Sequence, residues 1–517
     1  MSRLKIVTAV FVFTILSVIV LFVFLKKKEK NSGFSIRYPF NNALFPPEFP
    51  APTFEWKSEI KDSSLWEVSL FTGNKKYTIN ETTALTKWKP EESKWDSLKV
   101  LSDFKRVYFT VRKRGTTRTG KKIAFSISHD SVGAPILYRQ MPIPVIIAEK
   151  NLDSMNYMLI NIGSKNRPHT AMKGFPVCGN CHSFNADGST IGLDLDAGLR
   201  DKGGYFVSQI RDTILFNPGN YMSWSKIEKR RTFGLFSKIS PDGRYIVTTV
   251  KDRVVLKNFP ISPVENIIFS QLFFPVNGHL AVYDRQTHIL KELPGANLEE
   301  YVQSNAMWTP DGKNIIFSRA VALPRDTNLF EINVQDEDII NQFVKREKPF
   351  KFNICIIPFN NGNGGEAVPI RGASDNGKSN FFPAVSLDGK WLVFCQAENF
   401  MLLMADSRLY IVPVGGGKAK MLNSNLYSMN SWHAWSPNSK WIVFASKGLS
   451  VYTDMFLTHI DENGKDAIPV LVEKARAANR VINYSEFVNR KADDTFVMEY
   501  DYVELAHIKR ALKKGDI

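Results

Sequence analysis

The stretch Ser240-Pro241-Asp242-Gly243-Arg244-Tyr245-Ile246-Val247 decides the fold of this chain, because related versions of it recur along the sequence. In this pattern Pro fixes φ and Gly accepts a positive φ, which together close a tight turn between two apolar strands. The positions equivalent to Asp242 are Asp187, Asp311, Asp388, Asn438 and, in a degenerate sixth copy, Asp494. A four-stranded unit repeated at such intervals is typical of a propeller blade. The pattern therefore predicts a β-propeller of about six blades over residues 145–517.

The preceding region, residues 38–142, lacks this repeat but is also rich in short alternating strands. Trp66, Val68 and Leu70 fall on one face of such a strand, with Glu67 and Ser69 on the other. About seven strands in roughly a hundred residues suit a β-sandwich. The region resembles a fibronectin type III or immunoglobulin-like module, which implies a spacer or a docking surface. The predicted fold class of the whole body is all-β.

The repeats resemble the WD-like propeller family of the Tol-system translocation protein (TolB), whose blades carry Ser-Pro-Asp-Gly-Lys followed by an apolar strand. The resemblance covers residues 145–517 and implies the propeller fold. Propellers of this kind serve as docking platforms or as accessory domains of peptidases, so the resemblance leaves the function open.

The sequence Cys178-Gly179-Asn180-Cys181-His182 has the C-x-x-C-H spacing at which haem is attached covalently. Cys178 and Cys181 would bind the haem vinyl groups, and His182 would be the proximal ligand of the haem iron. The alternatives are a disulfide, a dithiol or half of a zinc site. Cys355 and Cys395 lie far away in sequence and form no second zinc knuckle. The motif predicts one covalent haem c.

The sixth ligand of the iron would decide between electron transfer and binding of small ligands. The candidates are His169 and Met172, in one loop near the motif, and the remote His433. His433 has the simpler interpretation of a structural histidine inside the propeller, and His169 that of an exposed loop residue. Asp194 and Asp196 share one face of a strand and would suit Ca²⁺ or Mg²⁺, although a solvated strand face explains them as well.

A second resemblance rests on four segments of the chain taken together. They are Cys178-Gly179-Asn180-Cys181-His182-Ser183-Phe184, Asn380-Phe381-Phe382-Pro383, Asn430-Ser431-Trp432-His433-Ala434-Trp435-Ser436-Pro437 and Phe456-Leu457-Thr458-His459-Ile460-Asp461. This combination is similar to a group of membrane-anchored propeller proteins from Bacteroidetes-type bacteria, several of them labelled cytochrome c biosynthesis or Tol-like proteins. The resemblance implies a C-x-x-C-H motif that leads directly into the first blade.

The amino terminus carries an uncharged apolar run over residues 6–25, long enough to span a bilayer. We predict a retained signal anchor over residues 1–30, since no small-residue cleavage site follows the run. Cations at Lys26, Lys27, Lys28 and Lys30 would place the body inside by the positive-inside rule. Haem attachment demands the opposite, and we expect the body to lie in the periplasm.

The net charge of +16 indicates an acidic partner or an anionic membrane surface. No nucleic-acid-binding module is visible in the sequence, and no G-x-S-x-G or H-E-x-x-H motif is present. We therefore expect no peptidase activity, and we leave haem-based catalysis open.

Three functions fit the sequence. They are a membrane-anchored c-type cytochrome whose propeller docks a redox partner, a haem-independent scaffold or envelope-assembly factor, and an accessory protein of cytochrome c maturation. We favour the first.

Overall fold

A computed structural model of the chain describes residues 34–58, 65–116, 120–143, 147–148, 151, 154–173, 178–196, 203–258, 271–325, 332–402 and 404–500. Strands dominate these residues, which confirms the all-β class. No helix among them is both long and apolar enough to cross a bilayer. The run at residues 6–25, predicted to be an anchor, lies outside the described residues.

The first strands and the first helix, in chain order, are β1 (Phe34–Tyr38), β2 (Ala43–Phe45), β3 (Phe54–Ser58), β4 (Trp66–Thr72), β5 (Thr78–Thr83), β6 (Lys87–Trp88), α1 (Glu92–Ser102), β7 (Val107–Lys113) and β8 (Lys121–Ile127). Then follow β9 (Ile136–Pro142), β10 (Asn156–Ile160), β11 (His169–Lys173), β12 (Cys178–Phe184), β13 (Thr190–Asp196), β14 (Gly204–Gln209), β15 (Thr213–Phe216), β16 (Tyr221–Ser223), α2 (Trp224–Glu228), β17 (Lys238–Ile239), β18 (Tyr245–Asn258), β19 (Gln271–Asp284) and β20 (Ile289–Glu292).

The remaining elements are β21 (Tyr301–Trp308), β22 (Asn314–Val321), α3 (Glu337–Val344), β23 (Asn353–Pro358), β24 (Val368–Pro369), β25 (Ser379–Val385), β26 (Trp391–Ala397), β27 (Arg408–Pro413), β28 (Lys420–Met421), β29 (Asn430–Trp435), β30 (Trp441–Ser446), β31 (Asp454–His459), β32 (Val470–Leu471), β33 (Arg480–Phe487) and β34 (Val497–Tyr500). Short 3₁₀ turns lie at Pro218–Asn220, Asn360–Gly362 and Glu473–Ala475.

The chain divides into two compact units. Unit 1 comprises residues 1–41 and 51–125, and unit 2 comprises residues 42–50 and 126–517. In unit 1, strands β8, β7, β4 and β5 form one antiparallel sheet and β1, β3 and β6 form another. Aromatic rings fill the core between the sheets; Phe54 of β3, for example, lies 4.3 Å from Phe109 of β7. Trp66, Val68 and Leu70 are buried on one face of β4, as their alternation predicts.

Unit 1 also contains an element that the alternation pattern misses. Helix α1 buries Trp95, Leu98 and Ser102, which lie three and four residues apart and therefore share one helix face. The helix ends where Asp103 adopts a left-handed conformation with φ of 52°. This spacing, just after Pro90, was the available sequence signal for a helix.

Six antiparallel four-stranded groups can be distinguished in the described part of unit 2. In strand order they are β12-β13-β14-β16, β17-β18-β19-β20, β21-β22-β23-β24, β25-β26-β27-β28, β29-β30-β31-β32 and β33-β9-β10-β11. A parallel pairing of β19 with β21, at Gly278 and Val302, joins the second and third groups into one sheet of eight strands. In four groups, consecutive strands pair as simple meanders, whereas in the first group β14 pairs with β16 and β15 pairs elsewhere. The sixth combines the late strand β33 with three strands from before the first repeat.

The sheets close into a ring, which is the defining property of a β-propeller. Each innermost strand contacts the innermost strand of the next sheet, and β33 contacts β12 to complete the circle. Strand β33 also pairs with β9 from Arg480↔Pro142 to Phe487↔Ile136. Residues 136–142, which the sequence suggested belong to the first region, thus lie in the propeller sheet that joins the two ends of unit 2.

The predicted turns have the expected chemistry. At Thr309-Pro310-Asp311-Gly312, the Thr309 hydroxyl donates to Asp311 at 2.6 Å and accepts the Asn314 N–H at 3.0 Å. Gly312 has a φ of +69°, which a side chain would resist. The same side-chain bond closes the turns at Ser386 and Ser436.

The degenerate sixth repeat differs from its prediction. After β33, the next strand in the chain, β34, does not continue the sixth sheet; it pairs in parallel with β15, with Val497 opposite Thr213. The second strand of the sixth sheet is β9 instead, so the chain after residue 490 adds no strand to that sheet.

Candidate functional site

The C-x-x-C-H motif lies on β12, the innermost strand of its sheet. The pairing of β12 with β13 breaks between Gly179 and His182, so the motif contains a β-bulge. A bulge bends the strand and re-aims its side chains. Equivalent breaks occur on the innermost strands β21, β25, β29 and β33, where the bulged residue has a positive φ. The motif therefore occupies a position that the propeller repeats in most of its sheets.

Counting back six residues from the turn carboxylate or amide identifies this position in each repeat. The residues there are Cys181, Phe236, Asn305, Phe382 and Trp432, with Tyr484 at the same place on β33. Several of these rings touch: Trp432 lies 4.9 Å from Phe382 and 5.6 Å from Tyr484. The constant spacing of six residues is the sequence signal that could have identified these equivalent positions.

His182 is the most unusual side chain at this site. It is fully buried, and neither Nδ1 nor Nε2 has a hydrogen-bond partner. Its ring contacts three aromatic rings, those of Tyr484, Phe184 and Tyr157, at centroid distances of 5.1, 5.7 and 6.1 Å. Burial, reinforced by the nearby cations Lys238 and Arg139 and opposed only by a weak contact with the Leu137 backbone, holds the pKa of His182 well below its usual range. The imidazole is therefore neutral, with an available lone pair.

Of the two cysteines of the motif, the structure describes the side chain of Cys181 and only the backbone of Cys178. Cys181 is a free thiol. Burial, aided by the Asp194 carboxyl group, raises its pKa to about 12, so it is protonated at neutral pH. The backbone of Cys178 pairs with Asp196, but the side chains of both residues lie outside the described atoms. The position of the Cys178 thiol relative to His182 thus stays a prediction.

Two side chains from the sixth sheet hold the backbone of the motif. Arg139 on β9 donates from Nη1 to the Gly179 carbonyl at 2.8 Å, and Tyr157 on β10 donates to the Asn180 carbonyl at 2.9 Å. The sheet that closes the ring therefore also fixes the loop between the two cysteines.

A buried ion pair lies beside His182. Lys238 Nζ lies 3.3 Å from both carboxylate oxygens of Glu486 and donates to the His182 carbonyl at 3.3 Å. Burial raises the pKa of Glu486. It also raises the pKa of Asp194, whose Oδ1 has no hydrogen-bond partner. The pair links β17 and β33 to β12, three strands of the ring.

No described hydrogen bond or ring contact joins the three sixth-ligand candidates to His182. His433 donates from Nε2 to the Val393 carbonyl at 3.1 Å, and its Nδ1 lies 3.8 Å from the Cys395 thiol. Burial lowers its pKa to about 4. His169 and Met172 lie on strand β11 and not in a loop, as the sequence suggested; His169 is exposed at its start, and Met172 is buried in the apolar core between the first and sixth sheets. The two nitrogens of His433 are thus already engaged inside the propeller.

The innermost strands of all six sheets line a central cavity of about 190 Å³. Its lining is mostly apolar and includes the aromatic rings of Phe184, Trp308, Trp432 and Trp435, with Lys238 among the polar groups. Cys355 and Cys395 are buried free thiols in β23 and β26 and take no part in it. Within the described residues, no three His, Cys, Asp or Glu side chains lie together as a metal site.

The described donors fit the chemistry of a haem ligand set. A buried imidazole nitrogen without a partner is costly, and coordination to a metal would satisfy it. The adjacent thiol is free to form a thioether. The aromatic rings around His182 enclose it, so a macrocycle at this place would have to share space with them.

No protein-family model matches the chain, and no curated protein sequence matches it. Solved structures similar to it include TolB from Acinetobacter baumannii, at 12% identity and a TM-score of 0.41, covering 74% of this chain and 79% of that one. Hydrazine synthase of Kuenenia stuttgartiensis has 13% identity and a TM-score of 0.35, with 68% and 91% covered. A periplasmic gluconolactonase of Pseudomonas aeruginosa has 11% identity and a TM-score of 0.35, with 65% and 82% covered.

Proposed function

We propose that the protein is a c-type haem protein in which the propeller holds one covalent haem through Cys178 and Cys181, with His182 as the proximal ligand. The observation that supports this most is the state of His182, whose two ring nitrogens are buried and lack partners. When bound, the haem would supply one-electron chemistry.

The surrounding residues prepare His182 for this role. A histidine must be neutral to bind a metal, and burial together with Lys238 and Arg139 disfavours the protonated ring. Arg139 and Tyr157 fix the peptide between the two thiols, and Lys238 holds the carbonyl of His182. The backbone on which the ligand lies would thus be held by groups from three separate strands.

The domain organisation and the cellular location follow from the same proposal. We infer that the six sheets are the six blades of the propeller and that unit 1 is a fibronectin- or immunoglobulin-like module. Residues 6–25 would anchor the chain, with the body in the periplasm, where haem attachment takes place. The haem would exchange electrons with a docked partner or sense the redox state of the periplasm. If the protein instead serves assembly, its role would be that of an accessory protein in cytochrome c maturation.

A second candidate function is a haem-independent docking platform. It is favoured by the enclosure of His182 between three aromatic rings and by the high pKa of the Cys181 thiol, which makes that thiol a weak nucleophile. In that case the central aromatic cavity would be the functional surface.

A haem-stained denaturing gel separates the two candidates. The full chain is co-expressed with a c-type maturation system, beside a Cys178→Ala, Cys181→Ala variant. A Cys355→Ala, Cys395→Ala variant is the matched control, since both thiols are buried outside the motif. We expect stain in the parent and the control and none in the motif variant. An unstained parent, beside a stained control cytochrome, would overturn the haem proposal and favour the platform.

The sixth ligand is tested on the same material by absorption spectroscopy. If His169 or Met172 completes the coordination, the His169→Ala or the Met172→Leu variant should convert a six-coordinate spectrum into a five-coordinate one. A parent that is already five-coordinate would exclude both and indicate an open site for small ligands.

A further inference from the structure

The positive charge of the chain is concentrated in unit 1. Residues 34–41 and 51–125 carry 17 Lys and Arg against nine Asp and Glu, a net charge of +8. Residues 1–33, the first part of the same unit, add six cations and one anion, or +5, which leaves only +3 of the total +16 for unit 2. The net charge of unit 2 is therefore small for its length.

One end of unit 1 combines this charge with exposed apolar side chains. In the last turn of α1 and just after it, Val100, Leu101 and Phe104 are 78%, 38% and 44% exposed. Single exposed apolar residues are ordinary, but three within five positions form a patch. They protrude beside the end of the helix, where Asp103 and Phe104 both have a positive φ.

Cations surround these three residues. The hairpin turn between β4 and β5 packs against them, since Asn74 Nδ2 donates to the Leu101 carbonyl at 3.1 Å and the Gly73 N–H donates to the Arg106 carbonyl at 2.6 Å. These bonds hold the turn that carries the exposed Lys75 and Lys76 against the segment that carries the exposed Lys105 and Arg106. We call the group of Lys75, Lys76, Val100, Leu101, Phe104, Lys105 and Arg106 the helix-tip patch. Of the nearby anions, Asp103 pairs with Lys105 at 3.5 Å and Asp96 with Lys99 at 3.1 Å.

We propose that the helix-tip patch binds the surface of an anionic phospholipid bilayer. Apolar side chains that enter the headgroup region, ringed by Lys and Arg that attract acidic lipids, are the features of interfacial membrane binding. The aromatic pair of Phe71 and Tyr108, with Lys122 Nζ 3.9 Å from the Tyr108 ring, extends the same basic and aromatic character across the sheet. A bilayer suits these features better than an acidic protein, because they form a protruding apolar end and not a groove.

The position of the unit in the chain supports this choice of partner. The apolar run at residues 6–25 ends nine residues before β1 begins at Phe34. A segment of that length reaches about 30 Å at most. This supporting step rests on the anchor in the proposed function, whereas the charge and exposure of the helix-tip patch do not.

The test uses the full chain with lipid nanodiscs of neutral phosphatidylcholine, or of the same lipid with a third of phosphatidylglycerol. Hydrogen exchange of the amides of residues 97–106 reports contact at the patch. We expect slower exchange in the anionic discs and reversal of the slowing by 0.5 M salt, since screening weakens surface electrostatics. If the anchor fails to insert, the chain will not associate with neutral discs, but the patch will still recruit it to anionic ones. The two proposals are therefore distinguished.

Variants locate the contact. Lys76→Gln and Lys105→Gln should each weaken the anionic component of disc association about fivefold, the effect of one cation near a charged surface. Val100→Asp with Phe104→Asp should abolish the slowed exchange, whereas Val321→Asp, at an exposed valine of unit 2, should leave it intact. Equal exchange of residues 97–106 in both lipids, or protection that survives the double Asp change, would overturn the proposal. Protection that appears only when an acidic protein is added would overturn it in favour of a protein partner.

Discussion

Replacing Lys238 by Met should destabilise the propeller by about 3 kcal/mol, because it leaves the Glu486 carboxylate without its counter-ion. The lysine side chain is 9% exposed and Glu486 19%, and the two lie 3.3 Å apart. Breaking a buried pair by removing one partner costs about 3–5 kcal/mol, and the residual exposure of Glu486 places this pair at the lower end. Met keeps most of the packed volume, so the loss reports the charge and not a cavity.

Urea unfolding followed by tryptophan fluorescence measures this change at pH 7. The matched control is Lys390→Met, whose Nζ lies 3.5 Å from Asp388 but whose side chain is 67% exposed. That pair should contribute less than about 1 kcal/mol. Adding Glu486→Gln to the Lys238→Met variant should restore most of the stability, since no buried charge is then left unpaired.

The pH dependence of the loss provides an independent check. Burial already raises the pKa of Glu486, and removal of Lys238 takes away the group that opposes this rise. Below its folded-state pKa, Glu486 is neutral in the fold, so the cost of Lys238→Met should shrink as the pH falls through that value. A Lys238→Met variant no less stable than Lys390→Met, or a double variant as unstable as the single one, would refute this account of the pair.

Three further predictions concern the propeller. Gly312→Ala should destabilise it by about 1 kcal/mol in urea unfolding, because alanine resists the φ of +69°. The control is Gly415→Ala, which should be neutral or slightly stabilising because Gly415 has open space around it and an ordinary φ. Equal effects of the two changes would contradict the role of the turn. Burial raises the pKa of Asp252 to about 6. The fold therefore binds this proton more tightly than the unfolded chain does, and the stability of the parent relative to Asp252→Asn should fall by about 2.5 kcal/mol from pH 4 to pH 7 in the same assay, with no change counting against it. Ile482→Pro should remove the hydrogen bond that the Ile482 N–H donates to the Thr453 carbonyl at 3.0 Å and distort β33, at a cost of more than about 3 kcal/mol; this is detectable as a loss of cooperative unfolding, which an unaltered transition would exclude.

The recurring turns made the propeller predictable from sequence. Each turn at Asp242, Asp311 or Asp388 is specified by short-range chemistry, namely a hydroxyl two residues before the carboxylate and, directly after it, a glycine with positive φ. The closure of the ring was not predictable in the same way. Pairing of β33 with β9 joins residues more than 300 positions apart, and no local pattern encodes such a contact.

The site was predictable to a similar degree. The spacing of Cys181 and His182 was evident, but the environment of the histidine depends on Tyr484, Tyr157 and Lys238, which come from distant parts of the chain. The helix-tip patch was not predictable from the net charge, because that value sums both units of the chain. Its division between the two units becomes visible only when their boundaries are known.

The central claim is that Cys178 and Cys181 carry one haem, and the most direct test is the intact mass of the denatured full chain made with a c-type maturation system. The account predicts a mass greater than that of the apoprotein by one haem group. It also predicts that proteolysis places the added mass on the peptide that contains both cysteines, and that the mass of the Cys178→Ala, Cys181→Ala variant is unchanged. An apoprotein mass for the parent, from cells that load a control cytochrome, would contradict the claim.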